Sequence, residues 1–306
     1  MMYESSTFAE QDCVDLTKVM AEKHALHHTG FRGGKIVVHI SDQQKFDRRN
    51  FLNAMAQLLN QFPETFYTGC DVGTTYEDMQ FLASICPFVL SGIPQNIDTN
   101  LATSYGIVGS VEAGLEWLDV PLHKAKVVLV GCGNVGAGVA NLLIDRGAAV
   151  FVSDIDPDKI SLSIQGNHEI LSAESWPTFK CDILINCAFS KDITTEIASA
   201  LQCKMIVSSA NVPYRSIAVR DILEARDVVC IPPFVSNAGA VISDSVEFYR
   251  QEEFLSDNQQ ILFEFIMDCI SQKTAFYLDG NLMRTYSSSS FDLIANKYCT
   301  SRGDKK

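Results

Sequence analysis

The spacing of apolar residues changes along the chain, and this change predicts two regions of different architecture. In the first region, apolar positions at helical spacing predict helices over 7–28 and 47–61. The second of these carries an apolar stripe formed by Phe51, Met55, Leu58 and Leu59. Short apolar runs predict strands over the following ranges: 35–40, 65–68 and 88–90. Together these elements favour a small α/β domain over residues 1–98.

Strands and amphipathic helices alternate in the second region. Helices are predicted at 102–117 and 135–145. Apolar runs predict strands at 126–130, 149–153, 183–185, 205–207 and 228–231. Strands that alternate with helices form a parallel, doubly wound sheet. We therefore predict an α/β protein of two domains, with a Rossmann-type nucleotide-binding domain over 99–276 and a helical segment over 277–306 that packs back on the first domain.

Charge and cysteine usage narrow the class of protein. The chain has 306 residues, and 24 Lys and Arg against 37 Asp and Glu give a net charge of −13. This balance argues against a nucleic-acid or anionic-membrane partner, because both need clustered basic residues. None of the ten cysteines forms a Cys-x-x-Cys pair, which is typical of reduced thiols in a cytoplasmic protein. No membrane span or signal peptide is predicted.

A glycine fingerprint, Gly131-Cys132-Gly133-Asn134-Val135-Gly136, follows the strand KVVLV and opens a helix. Gly131 permits the tight turn, Gly133 lets the backbone approach a pyrophosphate, and Gly136 allows close helix–sheet packing. The pyrophosphate then lies at the positive helix N-terminus. Asp154 ends the next strand, where a carboxylate would bind a ribose 2′-OH and repel a 2′-phosphate. NAD is therefore favoured over NADP; the alternative is a glycine turn in an unrelated α/β protein.

Two lysines and an aspartate supply candidate chemistry. Lys23 and Lys35 bracket a loop that contains Gly30, Gly33 and Gly34, and Asp71 is predicted to end a strand. One lysine can bind a carboxylate, and the other can act as a base if its pKa falls from about 10.4 to about 7–8. Such a shift needs burial and a neighbouring cation, which the other lysine can supply. The alternative is that all three are surface charges.

Several motifs in one order give the chain a resemblance to a known family. They are Met20-x-x-Lys23, Gly33-Gly34-Lys35, Asp71-Val72-Gly73-Thr74-Thr75-x-x-Asp78-Met79, Ala102-Thr103-x-Tyr105-Gly106, the glycine fingerprint, Cys187-Ala188 and Asn237-Ala238-Gly239. From about Tyr3 to about Asp279 the chain resembles the leucine/phenylalanine/valine dehydrogenases, a branch of the glutamate dehydrogenase superfamily.

The resemblance implies reversible, NAD-dependent oxidative deamination of a non-acidic L-amino acid to a 2-oxo acid and ammonia. Lys23 would bind the α-carboxylate, Lys35 would be the base that activates water, and Asp71 would exchange a proton with the amino group. The remaining substrate contacts would be Met20, Val241 and Asp244. Closure of the cleft between the domains and homo-oligomeric assembly are implied as well.

The same resemblance implies a set of cofactor contacts and no metal. Within the fingerprint these are Gly131, Cys132, Gly133, Asn134, Val135 and Gly136. The others are Thr103, Asp154, Ile155, Cys187, Ala188, Ala210, Asn211 and Asn237. His24, His27 and His28 lie at helical spacing, but no matching Cys or carboxylate set accompanies them. A solvated helix face is therefore favoured over a metal site.

The chain departs from the family pattern at four places. It begins where the family has completed two strands and a Gly-Gly-x-Arg segment, so the first domain is expected to be incomplete. Arg32 stands where the family usually has glycine, and it could crowd the site or bind an acidic group. Asn186 replaces a proline, and Ser190 and Lys191 replace glycines. Val212 falls on the family's substrate-contacting Asn, with Asn211 one residue early as a substitute or a lost contact.

Asp244 bears on specificity. An unpaired aspartate facing an apolar pocket costs several kcal/mol. This suggests a substrate side chain with a donor or positive charge, such as an indole N–H or a basic group. Alternatively, Asp244 turns outward to water.

Two other functions remain open. A catalytically inactive homologue that binds NAD or an amino acid is favoured by the missing strands and Arg32, but opposed by intact Lys23, Lys35 and Asp71. A hydroxy-acid dehydrogenase would need a catalytic histidine, and no histidine lies in such a context.

Overall fold

A computed structural model of the protein describes residues 6–40, 42, 45–62, 65–188, 191–281 and 293–303. The helices are α1 (Ser6–His27), α2 (Arg48–Gln61), α3 (Tyr76–Ile85), α4 (Thr99–Trp117), α5 (Asn134–Asp145), α6 (Pro157–Ser163), α7 (Thr195–Ala200), α8 (Ile217–Glu224), α9 (Pro233–Ser236), α10 (Gly239–Tyr249), α11 (Gln251–Ser256), α12 (Gln259–Leu278) and α13 (Ile294–Gly303). The strands are β1 (Lys126–Val130), β2 (Ala149–Ser153), β3 (Glu169–Ile170), β4 (Ile183–Asn186), β5 (Met205–Ser208) and β6 (Val229–Cys230).

The strands form one six-stranded sheet in the order β3-β2-β1-β4-β5-β6, and every neighbouring pair is parallel. The order reverses between β1 and β4, which opens a crevice at the carboxyl ends of these two strands. The predicted α/β fold class and its parallel sheet are confirmed. The predicted strand at 228–231 is shorter, covering Val229–Cys230.

The sheet is covered on both faces because its strands are apolar on both sides. Val127 and Leu129 face a core shared with α4 and α5, whereas Val128 and Leu184 belong to a cluster shared with α7 and α8. Parallel sheets need this cover, since their crossover helices lie on both faces. The structure thereby holds the carboxyl ends of the strands on a rigid base.

The strand predicted at 35–40 is wrong. The backbone there joins no β-ladder in the described part of the chain. The ranges 65–68 and 88–90 meet in a single parallel bridge between Thr68 and Val89. An apolar run indicates burial, but a strand also needs a neighbour that pairs with its backbone groups. The residues from 35 to 38 are partly buried without one.

Helix α2 begins as predicted, but its buried face is rotated from the predicted stripe. Asp47 caps it by accepting a hydrogen bond from the Asn50 N–H at 2.8 Å. The buried residues are Leu52, Ala56 and Leu59, whereas Leu58 is 46% exposed. Contact with α3, whose Met79 and Leu82 share the same cluster, selects this face.

Helix α13 packs against α10 and α12, and the Ile294 N–H donates to the His28 carbonyl at 3.0 Å. The division at residues 98 and 276 stays a prediction. Within the described ranges, no helix is both long and apolar enough to cross a membrane.

Candidate active site

The three glycines of the fingerprint have different surroundings. A Cβ added to Gly131, at φ +93°, would lie 2.6 Å from the Ala188 nitrogen, and one on Gly136 would lie 1.9 Å from the Gly131 oxygen. A Cβ on Gly133 would have no heavy atom within 4 Å. Packing therefore requires Gly131 and Gly136, whereas Gly133 faces open space that a ligand can approach.

Helix α5 presents its N-terminus at this turn. Its N-cap is Gly133, which offers no side-chain cap to the first N–H groups. Such a terminus attracts anions through unpaired N–H groups and the helix dipole. Asp154 braces the turn, accepting hydrogen bonds from the Cys132 N–H at 2.6 Å and the Asp156 N–H at 2.8 Å. Ile155 beside it is 89% exposed. These residues fit the pyrophosphate and ribose of a dinucleotide.

The segment after β4 closes the other side of the turn. The Cys187 N–H donates to the Val130 carbonyl at 2.8 Å, and the Ala188 N–H donates to Asn186 Oδ1 at 3.0 Å. Asn186, which replaces the family's proline, thus stabilises the turn through its side chain. Burial raises the pKa of Cys187 to about 11 and that of Cys132 to about 12, so both remain thiols. Ser190 lies outside the described residues.

Lys23 is buried on α1 and contacts the segments that follow β5 and α9. Its Nζ donates to Asn211 Oδ1 at 3.2 Å and to the Asn237 carbonyl at 3.3 Å. Asn237 Nδ2 also donates to Asn211 Oδ1, at 3.0 Å. Asn211 was predicted as a cofactor contact or a substitute for the family's substrate-contacting Asn, and the structure brings it to the lysine. Val212, one residue on, is partly buried.

Lys35 forms an ion pair with Asp71 through Nζ and Oδ2. Asp71 begins a tight turn and does not end a strand, so that prediction is wrong. The Thr74 N–H donates to the Asp71 carbonyl at 2.9 Å, and the Asp71 N–H donates to Thr74 Oγ1 at 2.9 Å. The Asp71 side chain is 47% exposed, whereas that of Lys35 is 20% exposed. The pair thus joins a mostly buried ammonium to a carboxylate that water reaches.

The rest of the motif around Asp71 anchors this turn. Thr75 and Asp78 form a capping box at the start of α3. Arg48 of α2 bonds the Asp78 carboxylate and donates to the Gly73 carbonyl at 2.9 Å. The hydrogen bond from Arg48 lowers the pKa of Asp78 to about 2. Asp78 is therefore ionised at neutral pH and holds the turn that presents Asp71.

The glycine loop before Lys35 is tightly packed. A Cβ on Gly33 would lie 2.1 Å from the Ala21 nitrogen of α1, and one on Gly34 would lie 2.5 Å from Phe66 Cε2. The two glycines let the loop press against α1 beside Lys23. Arg32 is exposed, and both roles considered for it, crowding of the site and binding of an acidic group, stay predictions.

Burial shifts both lysines towards their neutral forms. It lowers the pKa of Lys23 to about 7, with a further contribution from the positive charge of Lys35. It also lowers the pKa of Lys35, an effect opposed by Cys13 and Asp12. The ion pair with Asp71 favours charged Lys35. A carboxylate bound at Lys23 would hold that lysine charged, and its positive charge would then favour neutral Lys35.

Binding of a 2-oxo acid is expected to weaken as the pH rises above about 7, the pKa of Lys23. Protonated Lys23 attracts the carboxylate, so the dissociation constant should be constant at lower pH and rise up to about tenfold per pH unit above it. Calorimetric titration from about pH 6 to about pH 9 measures this dependence. A Lys23→Gln variant should bind weakly at every pH. Equal wild-type affinity at both limits would contradict the prediction.

The predicted side-chain pocket and nicotinamide residues meet at the start of α10. Met20 packs against the apolar cluster that includes Val241. A Cβ on Gly239 would lie 2.7 Å from Thr103 Cα, so Thr103 adjoins α10. Buried Asn237 Oδ1 has no hydrogen-bond partner among the described residues, which leaves an acceptor for a ligand N–H. The Ala210 N–H donates to Ser208 Oγ at 3.1 Å and shapes the same edge.

The interpretation of the histidines as a solvated face is wrong for His24 and His27, which are buried. His24 Nδ1 bonds Thr29 Oγ1 at 2.7 Å, and His27 Nε2 bonds the Phe234 carbonyl at 3.1 Å. Burial lowers their pKa values to about 4 and about 3, so both are neutral. No metal-binding group of His, Cys, Asp and Glu occurs in the part of the chain that the structure describes.

Sequence reasoning missed the role of Asp12. This buried aspartate of α1 lies 3.9 Å from Lys191 Nζ and so links α1 to the segment after β4. Lys191 has φ +66° at a position where the family has glycine. The lysine at this glycine position was the only hint of the contact in the sequence. Its partner, Asp12, lies far away along the chain, so the pair could not be predicted.

The doubly wound sheet and the glycine turn at its reversal define a Rossmann-type fold, and comparisons with known proteins show which enzymes the chain resembles. Residues 153–275 match the family model for glutamate/leucine/phenylalanine/valine dehydrogenase. A phenylalanine dehydrogenase of Caldalkalibacillus thermarum is 29% identical over 260 residues, covering 81% of this chain and 70% of that protein. A leucine dehydrogenase of Thermoactinomyces intermedius is 28% identical over 263 residues, covering 82% and 70%.

Solved structures agree at the level of the fold. L-tryptophan dehydrogenase from Nostoc punctiforme aligns with a TM-score of 0.70 and 21% identity, over 99% of this chain and 86% of that chain. Hetero-hexameric glutamate dehydrogenase from Thermus thermophilus aligns with a TM-score of 0.71 and 16% identity, over 96% and 79%. The resemblance predicted from the motifs is confirmed: the chain is similar to the glutamate/leucine/phenylalanine/valine dehydrogenases in the family match over residues 153–275 and in its curated relatives.

Proposed function

We propose that the protein catalyses NAD-dependent, reversible oxidative deamination of a non-acidic L-amino acid to the 2-oxo acid and ammonia. The observation that carries the proposal is the lysine pair. Buried Lys23 is bonded to Asn211 and Asn237 of the nucleotide-binding region, and it senses the charge of Lys35, which is paired with Asp71. Substrate-binding and proton-transfer groups thus lie beside the proposed cofactor site.

Lys23 binds the α-carboxylate in this proposal. Its ammonium is a compact charge in a buried setting, where attraction to an anion is stronger than in water. The Asn211 and Asn237 oxygens fix the direction of Nζ. Fixed donors orient the substrate, so that its Cα is presented to the cofactor in one geometry.

Lys35 and Asp71 transfer protons. Neutral Lys35 accepts a proton from the water that attacks the imino carbon, and Asp71 exchanges a proton with the substrate nitrogen. The ion pair between Lys35 Nζ and Asp71 Oδ2 gives the proton a short route between them. Exposure of Asp71 provides a path onward to solvent.

The fingerprint, Asp154 and Asn237 would hold NAD, which supplies a hydride acceptor for the substrate Cα. Open space at Gly133 and the uncapped N-terminus of α5 suit its pyrophosphate. The Asp154 carboxylate suits a ribose 2′-OH and disfavours the 2′-phosphate of NADP. Thr103, Ile155, Cys187, Ala188 and Ala210 stay proposed contacts.

The proposed substrate is a non-acidic amino acid, and the proposed protein is a homo-oligomer in the cytoplasm. The curated relatives named above are described as acting on phenylalanine and leucine, which supports a non-acidic substrate. All ten cysteines are free, which suits the reducing cytoplasm. We propose a cytoplasmic homo-oligomer with a small-molecule substrate.

The test is to mix the purified protein with NAD and a panel of L-amino acids and to follow NADH formation. Branched, aromatic, basic and acidic substrates are all included. NADH formed with a non-acidic substrate supports the proposal. A folded protein that binds NAD yet forms no NADH with any member of the panel would favour the inactive homologue.

A further inference from the structure

One face of α10 runs between the two lysine-bearing segments. Val241, Asp244 and Phe248 lie at spacings of three and four residues and so share one face of the helix, and Asn237 lies two residues before the helix begins. At its start, the Asn237 carbonyl accepts from Lys23 Nζ at 3.3 Å. At its far end, the Phe248 ring lies 5.3 Å from that of Phe31, in the glycine loop before Lys35. The face thus joins the contact of Lys23 to the loop before Lys35, and a substrate held at Lys23 can extend its side chain along it.

Asp244 is the charged group in the middle of this face. It is partly buried, and it forms no hydrogen bond or ion pair with any residue that the structure describes. Burial raises the pKa of Asp244 well above its ordinary value, and nearby Glu247 raises it further. Glu247 differs because it accepts a hydrogen bond from the Gly92 N–H at 2.9 Å. A carboxyl group that is partly buried and has no partner in the protein can accept a hydrogen bond from a donor that a ligand supplies.

A group of aromatic rings lies about one helical turn after Asp244. Phe248, four residues after Asp244, packs against Phe31 at 5.3 Å and Tyr67 at 5.0 Å between ring centroids, and is 38% exposed. Aromatic faces attract cations and stack with flat rings. A carboxyl group next to such rings suits a ligand group that is both N–H-bearing and either cationic or aromatic. A branched aliphatic side chain would leave the carboxyl group without a donor.

We propose that Asp244 selects amino acids whose side chain carries a nitrogen-bound hydrogen, and that it accepts the hydrogen bond from that group. The inference rests on the proposed deamination and specifies its substrate class. A basic side chain and an indole both carry a nitrogen-bound hydrogen. Replacing Asp244 by valine tests whether either is preferred over an aliphatic side chain, and replacing it by asparagine separates the indole from the cation.

The experiment measures kcat/KM for L-lysine, L-arginine, L-tryptophan and L-leucine in the wild type and in Asp244→Val, Asp244→Asn and Glu247→Gln. The wild type should favour at least one N–H-bearing substrate over leucine by roughly tenfold or more. Asp244→Val should abolish this preference. Asp244→Asn should retain the preference for an indole, since the carboxamide oxygen still accepts, but should lose that for a cation. Glu247→Gln is the matched control and should retain the wild-type preference.

The outcomes separate this inference from the proposed function. Turnover of leucine with no N–H preference, or a preference that survives Asp244→Val, overturns the inference and leaves the deamination standing. If no amino acid is turned over, calorimetric binding of the same four ligands in the presence of NAD gives the selectivity instead. Unchanged melting temperature and NAD affinity in each variant exclude misfolding as the cause.

Discussion

Replacing Lys35 by alanine is expected to lower kcat by about a thousandfold, within the range of about 10²–10⁴ for loss of a general base. Lys35 is mostly buried and paired with Asp71, and burial lowers its pKa, which favours the neutral form that acts as a base. NAD should bind to the variant as to the wild type, because Lys35 lies outside the glycine turn. Steady-state NADH formation and a separate NAD titration measure the two quantities.

Lys18→Ala is the matched control for this variant. Lys18 lies on α1 with a side chain that is 70% exposed, and its contact at 3.9 Å with Asp15, whose side chain is 35% exposed, is a surface ion pair. Such pairs contribute little, so activity should stay within about twofold of the wild type. Full activity in Lys35→Ala would refute the assigned role. Equal loss of activity in both variants would indicate that the loss comes from the lower net charge of the protein and not from the position of Lys35.

Replacing Gly133 by alanine is expected to weaken NAD binding by about tenfold or more while leaving the free protein as stable as the wild type. The φ of −70° and ψ of −170° at Gly133 suit alanine, and its Cβ would meet no heavy atom within 4 Å. The added methyl group would occupy the space through which the proposed pyrophosphate approaches, so it should exclude the ligand without straining the fold. Calorimetric titration measures the affinity for NAD, and thermal unfolding measures the stability of the free protein.

Gly136→Ala provides the contrast. Its Cβ would lie 1.9 Å from the Gly131 oxygen, so the turn or α5 must shift. Overpacking of this kind costs about 1–3 kcal/mol, which should lower the melting temperature by several degrees. Loss of stability in Gly133→Ala, or unchanged NAD affinity, would contradict the assignment of open space at Gly133 to the cofactor.

The parallel sheet was predictable because its signals are local. Each strand from β1 to β5, except short β3, is an apolar run bounded by polar or glycine residues, and the fingerprint marks one turn unambiguously. The first region, residues 1–98, has no comparable set of bounded apolar runs and no glycine motif that marks a turn between strand and helix. Its apolar runs at 35–40 and 65–68 resemble strands, but pairing requires a neighbour that the sequence pattern does not specify.

The sequence by itself determined the parallel sheet, the glycine turn, the family resemblance and the identities of Lys23, Lys35 and Asp71 as candidates. The tertiary structure decided their surroundings. Asn211 and Asn237 approach Lys23 from more than 180 residues away, and burial brings its pKa to about 7. Neither effect is contained in a local pattern, because desolvation and hydrogen bonding depend on which distant segments the fold brings together.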